Sequence, residues 1–293
     1  MDKATDAGEL GEFLRPRRAG LTPEHVGITS YGARRVPGLR REELAQLAGV
    51  SATYYTRQEQ GQSTNASEAV IEAIARALSL DDDERAHLHE LARPVRAPRR
   101  RPARTDHARP GTVRLLGAMA DVPAVVLGRR NEVLAWNSLG HLLLAGHLDA
   151  DAPTRPTDRP NLTRMLFLDP HTRDLHRNWT AEAALAVASM RFVAAQFRGD
   201  RELAELIGEL TLNSPDFARL WAKHPVQKCT SGTKQFRHPE VGDLDLDFEV
   251  LHLPDVSGQR IVTHTAEPGS AAAAALALLQ RTSARRQCAN AAR

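Results

Sequence analysis

The sequence predicts two domains, a small all-α domain followed by a larger α+β domain. Apolar residues recur at helical spacing through residues 8–92. Residues 93–109 hold seven arginines and three prolines, a composition that cannot form a core. From residue 110 onward, helical patterns alternate with short strand-like segments. We therefore expect domains at 1–92 and 110–280, a linker at 93–109 and a disordered tail at 281–293.

The composition is that of a globular protein in aqueous surroundings. Hydrophobic residues make up 42% of the chain and charged residues 26%, and no apolar run is long enough to cross a membrane. The first residues are acidic and polar, so no signal peptide is expected. Cys229 and Cys288 lack metal-ligand spacing, which favours unpaired thiols over a redox switch. We expect a cytoplasmic protein without metal or cofactor.

Residues 39–61 predict two short helices joined by a tight turn. The first helix begins at Arg41 and ends before Gly49, which can take the positive φ that a sharp helix end requires. Ser51 is placed to cap the second helix, and Gly61 to end it. This is the pattern of a helix-turn-helix, in which the second helix enters the DNA major groove. An ordinary helical hairpin is the alternative.

Two further segments carry a family likeness. LGEFLRPRR begins at Leu10 and GLRREELA begins at Gly38. With the turn between the two helices, they resemble the Xre, or lambda-repressor-like, helix-turn-helix family over roughly residues 8–92. Pro16 departs from the family pattern and is expected to kink or shorten the first helix. Gln58 also departs from it, at a position expected to be apolar, and would either weaken the helix or make a buried hydrogen bond.

The resemblance implies which side chains meet DNA. Base-reading positions fall on four residues of the second helix, Ala52, Thr53, Thr56 and Arg57. An arginine there can bond O6 and N7 of guanine, and the methyl groups suit thymine. Phosphate-contacting positions fall on Arg41, Ser51 and Gln60. Residues 13–41 add seven arginines against one acid, and we expect Arg34, Arg35 and Arg40 among them to contribute to DNA binding. One such domain reads few base pairs, so a homodimer on double-stranded DNA is expected.

The second half resembles the MmyB-like ligand-binding domain, a PAS-like α+β module. The likeness rests on AWN at 135–137, NLTRMLFLDP at 161–170, SPDFARLWAKH at 214–224, GTKQFRHPEVG at 232–242 and TAEPGS at 265–270. It implies a sheet packed against helices, with a cavity for a small ligand. The strand patterns by themselves predict only an α+β domain.

Six residues of this half are candidates for ligand contact. Trp136, Phe167 and Trp221 are expected to line or support the cavity, with ordinary core packing as the alternative. Arg191 interrupts an apolar run, so it either reaches the surface or meets a carboxylate of the protein or of a ligand. Relatives with a lipid-like guest would make Arg191, Asn137 and His238 polar anchors for a bound fatty acid or similar hydrophobic ligand.

No enzyme motif is recognisable: the sequence has no GxSxG, HExxH or Walker loop. The sequence therefore predicts a transcription regulator that joins DNA binding to the sensing of a small hydrophobic ligand. Two alternatives remain open. The second domain could serve only dimerisation, or the chain could be an enzyme with a DNA-binding appendage.

Overall fold

The computed structural model describes residues 3–28, 36, 38–62, 66–93, 107–254 and 258–291. The chain divides into two compact units, with the main division after Arg99. The first is all-α and the second combines helices with a single sheet, which confirms the predicted fold class.

The first unit holds five α-helices in the part of the chain that the structure describes: α1 (Lys3–Gly20), α2 (Arg41–Leu47), α3 (Ala52–Glu59), α4 (Glu68–Ala77) and α5 (Asp82–Ala92). Helix α1 passes through Pro16 and ends only at Gly20, so the expected shortening does not occur. Pro16 is exposed, as is Glu12 one turn earlier, so the carbonyl that loses its backbone donor faces water.

Side chains from all five helices form the core of this unit. Phe13, Leu44, Tyr55, Ile74 and Leu88 are each at most 2% exposed. The N-termini of α4 and α5 are capped by side chains, as serine and aspartate at this position commonly do. The Ser67 hydroxyl accepts a hydrogen bond from the Val70 amide at 3.4 Å, and the Asp81 carboxylate accepts one from the Glu84 amide at 2.8 Å.

The second unit contains eight α-helices among its described residues: α6 (Pro110–Ala118), α7 (Ser138–Ala145), α8 (Leu162–Leu168), α9 (Pro170–Leu175), α10 (Trp179–Gln196), α11 (Arg201–Asn213), α12 (Pro215–Trp221) and α13 (Ala271–Ala291). Its strands are β1 (Ala124–Leu127), β2 (Val133–Trp136), β3 (Ser231–His238), β4 (Gly242–His252) and β5 (Arg260–Thr265). They form one antiparallel sheet in the order β2-β1-β5-β4-β3, and the predicted hairpin of β1 and β2 is present.

Apolar side chains cover the sheet on both faces. On one face, Leu143 of α7 and Leu279 of α13 pack with Val125 and Leu246 of the sheet. On the other face, Leu116 of α6 packs in a separate cluster that includes strand residues of β1, β2 and β5. The alternation of buried and exposed residues along β4 follows the period of two that the sequence shows.

The C-terminal helix is longer than the sequence analysis expected. Residues 281–291, predicted to be a disordered tail, continue α13 to Ala291. The physical reason is local: no glycine or proline occurs between 271 and 291, and alanine, leucine, arginine and glutamine all favour helix. Across the described ranges, no helix is both long enough and apolar enough to cross a membrane.

Candidate functional site

The α2–turn–α3 segment has the local geometry that its sequence predicts. Gly49 has φ +66° and Gly61 has φ +70°, the left-handed conformations that end α2 and α3. The Ser51 hydroxyl accepts a hydrogen bond from the Tyr54 amide at 3.1 Å and so caps α3. Tyr55, fully buried, attaches this helix to the core.

The buried and exposed sides of α3 separate cleanly. Tyr55, Gln58 and Glu59 face the core, each at most 1% exposed. The side chains predicted to read bases lie on the other side: Thr53 and Arg57 are exposed, and Ala52 and Thr56 are partly exposed. Among the predicted backbone contacts, Arg40, Ser51 and Gln60 are exposed and Arg41 is partly exposed, whereas Arg34 and Arg35 lie outside the described residues.

Gln58 makes the buried hydrogen bond that was one of its two expected outcomes. Its Nε2 donates to the Tyr54 hydroxyl at 3.1 Å. The polar residue is thus accommodated at a core-facing position of α3 by a neighbour one turn earlier on the same helix.

A buried ion network, centred on Glu59, joins α3 to two other helices. The Glu59 carboxylate is fully buried and accepts two hydrogen bonds from the Arg18 guanidinium, at 3.0 and 2.8 Å. The Arg41 guanidinium, 40% exposed, adds a third at 3.2 Å. Arg41 therefore binds a protein carboxylate here, in addition to its predicted phosphate contact. The sequence analysis did not identify Glu59. It could have been found because it lies one helical turn after Tyr55, on the side of α3 that faces the core, where a carboxylate needs a cationic partner.

The second unit contains a cavity of about 130 Å³ between the sheet and helices α7 to α10. Most of its wall is aliphatic or aromatic: Val125, Leu127, Leu144, Leu162, Leu166, Leu175, Leu185, Phe248, Val250 and Val262. Its polar lining includes Asn131, Thr163, Thr172, His176, Glu182, Ser189, Cys229, Lys234, Arg260 and His264. The cavity therefore combines an apolar wall with a group of charged and titratable side chains.

Two charged side chains of the lining, Glu182 and Lys234, pair with each other. Glu182 of α10 and Lys234 of β3 form a short ion pair, with side chains only 17% and 14% exposed. Burial acts to raise the pKa of Glu182, but the Lys234 ammonium outweighs it, so this pKa lies below its ordinary value. Burial lowers the pKa of His176 to about 4 and that of His264 to about 3, and Lys234 adds to both effects. Both imidazoles are therefore neutral at pH 7.

None of the six predicted ligand contacts lines this cavity. Two of them stabilise the start of the domain instead. Trp136 donates from its indole N–H to the Ala150 carbonyl at 2.7 Å. The Asn137 side-chain oxygen caps α7 by accepting from the Gly140 amide at 2.7 Å, and it also accepts from the Ala124 amide at 3.1 Å. The side-chain nitrogen donates to the Met119 and Val122 carbonyls. Asn137 acts as a structural bracket because four backbone groups converge on one amide.

The other four also have partners within the protein. Phe167 lies edge-on to the Phe217 ring, with centroids 5.1 Å apart. The Arg191 guanidinium stacks over the Trp221 ring at 3.9 Å and donates to the Trp221 backbone carbonyl. The buried His238 ring lies 3.0 Å from the Leu142 carbonyl. Of the three aromatic residues, Phe167 is buried, whereas Trp136 and Trp221 are partly exposed.

Some residues that line the cavity could have been found in the sequence, from the alternation of side chains along one strand. Arg260, Val262 and His264 alternate along β5 and therefore share one face of the sheet. Polar residues at the inward positions of a strand are unusual, and a buried strand that carries them is a candidate for a binding site. Within the described ranges, no cluster of three or more His, Cys, Asp or Glu residues could hold a metal ion.

Comparison with known families assigns both units. Residues 9–88 match a helix-turn-helix domain, and residues 108–279 match the MmyB-like transcription regulator ligand binding domain. A search of curated proteins finds no match. The second family match covers more than half of the 293 residues. The protein therefore belongs to the MmyB-like transcription regulator family, with a DNA-binding helix-turn-helix domain ahead of its ligand-binding domain.

Proposed function

We propose that this protein binds a specific DNA sequence and that a small hydrophobic ligand in its C-terminal domain controls that binding. The observation that carries the DNA half is the division of α3 into a core side and an outward side. Thr53 and Arg57 are exposed on α3. On the opposite side of the same helix, Tyr55 and Glu59 are buried and hold α3 in its domain. A rigid helix with exposed donors and methyl groups suits the major groove.

The ligand half is supported by the cavity. Its volume of about 130 Å³ is close to the roughly 150 Å³ of an apolar protein cavity that binds benzene. A guest of about one ring fits it, whereas the chain of a long fatty acid would extend beyond it. A ligand that favours one arrangement of the protein changes DNA affinity, and DNA must then change ligand affinity by the same factor.

We further propose a homodimer that acts on double-stranded DNA in the cytoplasm. Exposed apolar side chains on the second unit support the dimer: Val113 and Leu115 on α6 are 46% and 47% exposed, and Leu278 on α13 is 52% exposed. A second domain that serves dimerisation alone is the alternative. Neither matched family is a family of enzymes, so we propose no catalytic activity.

Selection of binding sites from random DNA tests the first half. Replacing Arg57 by alanine should cost about 1–3 kcal/mol of binding free energy and relax the preference at one base position. The exposed Arg76 on α4 provides the matched control, because Arg76→Ala removes the same charge from another helix. An Arg57→Ala protein that selects the unchanged sequence with unchanged affinity would refute the assignment.

The proposed ligand control is tested in two steps. Mass spectrometry identifies small molecules that co-purify with the protein, and operator affinity is then measured with and without them. Ligand sensing requires the affinity to change. Affinity that is independent of the ligand supports the dimerisation alternative, and a turnover that a cavity substitution abolishes supports an enzyme.

A further inference from the structure

His264 is a buried side chain for which the described part of the protein supplies no hydrogen-bond partner. It is 2% exposed, and neither ring nitrogen makes a hydrogen bond of normal geometry. Its backbone amide donates to the Pro123 carbonyl at 2.9 Å, and its ring lies edge-on to Phe236 with centroids 5.8 Å apart. The ring lines the cavity. Buried polar atoms are nearly always paired, so an unpaired imidazole at a cavity wall indicates a missing ligand group.

The charges around His264 restrict that group. Lys234 of β3 and Glu182 of α10 face it as an ion pair, and His176 faces it from the end of α9. The Glu182 carboxylate and the Lys234 ammonium already neutralise each other, so a charged ligand head gains no unpaired counter-charge from this pair. Arg260, two residues earlier on β5, already donates to the Gly128 carbonyl at 2.9 Å and to the Asn131 side chain.

A neutral imidazole has one donor and one acceptor nitrogen. The two nitrogens point away from each other across the ring, so one small ligand group pairs with one of them. A hydroxyl or a primary amide can either donate to the acceptor nitrogen or accept from the donor nitrogen, and it does so without charge. The apolar wall then contacts the rest of the molecule, and the cavity volume of about 130 Å³ suits a compact one.

We propose that His264 is the specificity-determining contact of the cavity, and that the ligand is a compact apolar molecule bearing one uncharged hydroxyl or amide group. This inference rests on the proposed ligand-sensing function and names the chemical class that the same site selects. It differs from the fatty-acid expectation in both size and charge.

The test is isothermal titration of the full-length protein with three probes of one-ring size: benzyl alcohol, toluene and benzoate. Benzyl alcohol should bind on the order of tenfold more tightly than toluene, because it gains a buried hydrogen bond. Benzoate should bind more weakly than benzyl alcohol. In His264→Leu the preference for benzyl alcohol over toluene should disappear, while toluene still binds. His252→Leu is the matched control, since His252 is exposed on the adjacent β4 and should leave the preference unchanged.

Three results would overturn the role of His264. They are equal affinity for toluene and benzyl alcohol, tighter binding of benzoate than of benzyl alcohol, and a folded His264→Leu protein that still prefers benzyl alcohol over toluene. If that variant does not fold, His264→Phe replaces it, because phenylalanine keeps a flat ring without nitrogen atoms. If the wild-type protein binds none of the probes, the cavity does not take molecules of this size and the inference fails, whereas the sensing function is decided separately by the co-purification and operator-affinity measurements.

Discussion

Replacing Glu59 by glutamine tests the buried ion network that fixes α3 in its domain. The side chain is fully buried and accepts hydrogen bonds from Arg18 at 3.0 and 2.8 Å and from Arg41 at 3.2 Å. Glutamine keeps the shape and one accepting oxygen, but it removes the negative charge. Two guanidinium groups then face a neutral amide that also presents its own donors.

The expected loss can be worked from these contacts. A hydrogen bond to a charged group contributes about 1.5–3 kcal/mol, and removing one partner of a buried pair costs about 3–5 kcal/mol. Arg18 is 12% exposed, but Arg41 is 40% exposed, so water screens the second pair. We expect a loss of about 2–3 kcal/mol in the free energy of unfolding. In a domain of this size that loss lowers the midpoint by roughly 10–20 °C.

Scanning calorimetry of the full-length protein measures that shift. All three tryptophans, Trp136, Trp179 and Trp221, lie in the second unit, so tryptophan fluorescence should show unchanged unfolding of that unit. Glu12→Gln is the matched control, because Glu12 is exposed on α1 and its replacement should change stability by no more than about 0.5 kcal/mol. A Glu59→Gln protein as stable as this control would show that desolvation cancels the attraction within the network.

The same network predicts a pH dependence. Burial acts to raise the pKa of Glu59, but Arg18 and Arg41 outweigh it and hold the pKa below its ordinary value of 4.5. A carboxyl group with a depressed pKa contributes stability above its unfolded-state pKa and loses it as pH falls through the folded-state pKa. The difference in stability between wild type and Glu59→Gln should therefore be full above pH 4.5 and shrink below it.

Two further substitutions test the second unit by urea unfolding followed through tryptophan fluorescence. A Cβ on Gly140 would lie 2.4 Å from the Ala124 carbonyl oxygen, so Gly140→Ala should cost about 1–3 kcal/mol, whereas Gly117→Ala on α6, with no atom within 4 Å, should be neutral or slightly stabilising. Equal effects would contradict the close approach of α7 to β1. Lys234→Met should cost about 3 kcal/mol and raise the pKa of Glu182, because it leaves that carboxylate buried without its cation. Adding Glu182→Leu should recover most of the loss, and a double variant no more stable than the single one would contradict the pairing.

The sequence by itself determined the elements whose causes are local. Gly49, Ser51 and Gly61 set the limits of α2 and α3, because positive φ and N-cap hydrogen bonds depend on residues within one turn. The hairpin of β1 and β2 follows from two short apolar runs around a turn. The outward position of Arg57 follows in the same way, since a helical period fixes which side chains oppose Tyr55. The length of α13 was also encoded locally, in the lack of helix breakers, although the polar tail was taken for disorder.

Only the tertiary structure decided which side chains surround the cavity. Glu182 and Lys234 are 52 residues apart, and Arg18 and Glu59 are 41 residues apart. A local pattern shows that such a residue faces inward, but its partner is selected by how distant elements pack. Large aromatic side chains predicted a cavity wall at Trp136, Phe167 and Trp221. In the structure they contact the Ala150 carbonyl, the Phe217 ring and the Arg191 guanidinium, respectively. The cavity is lined instead by alternate residues of β5, which lie near residues of α9 and α10 only in the tertiary structure.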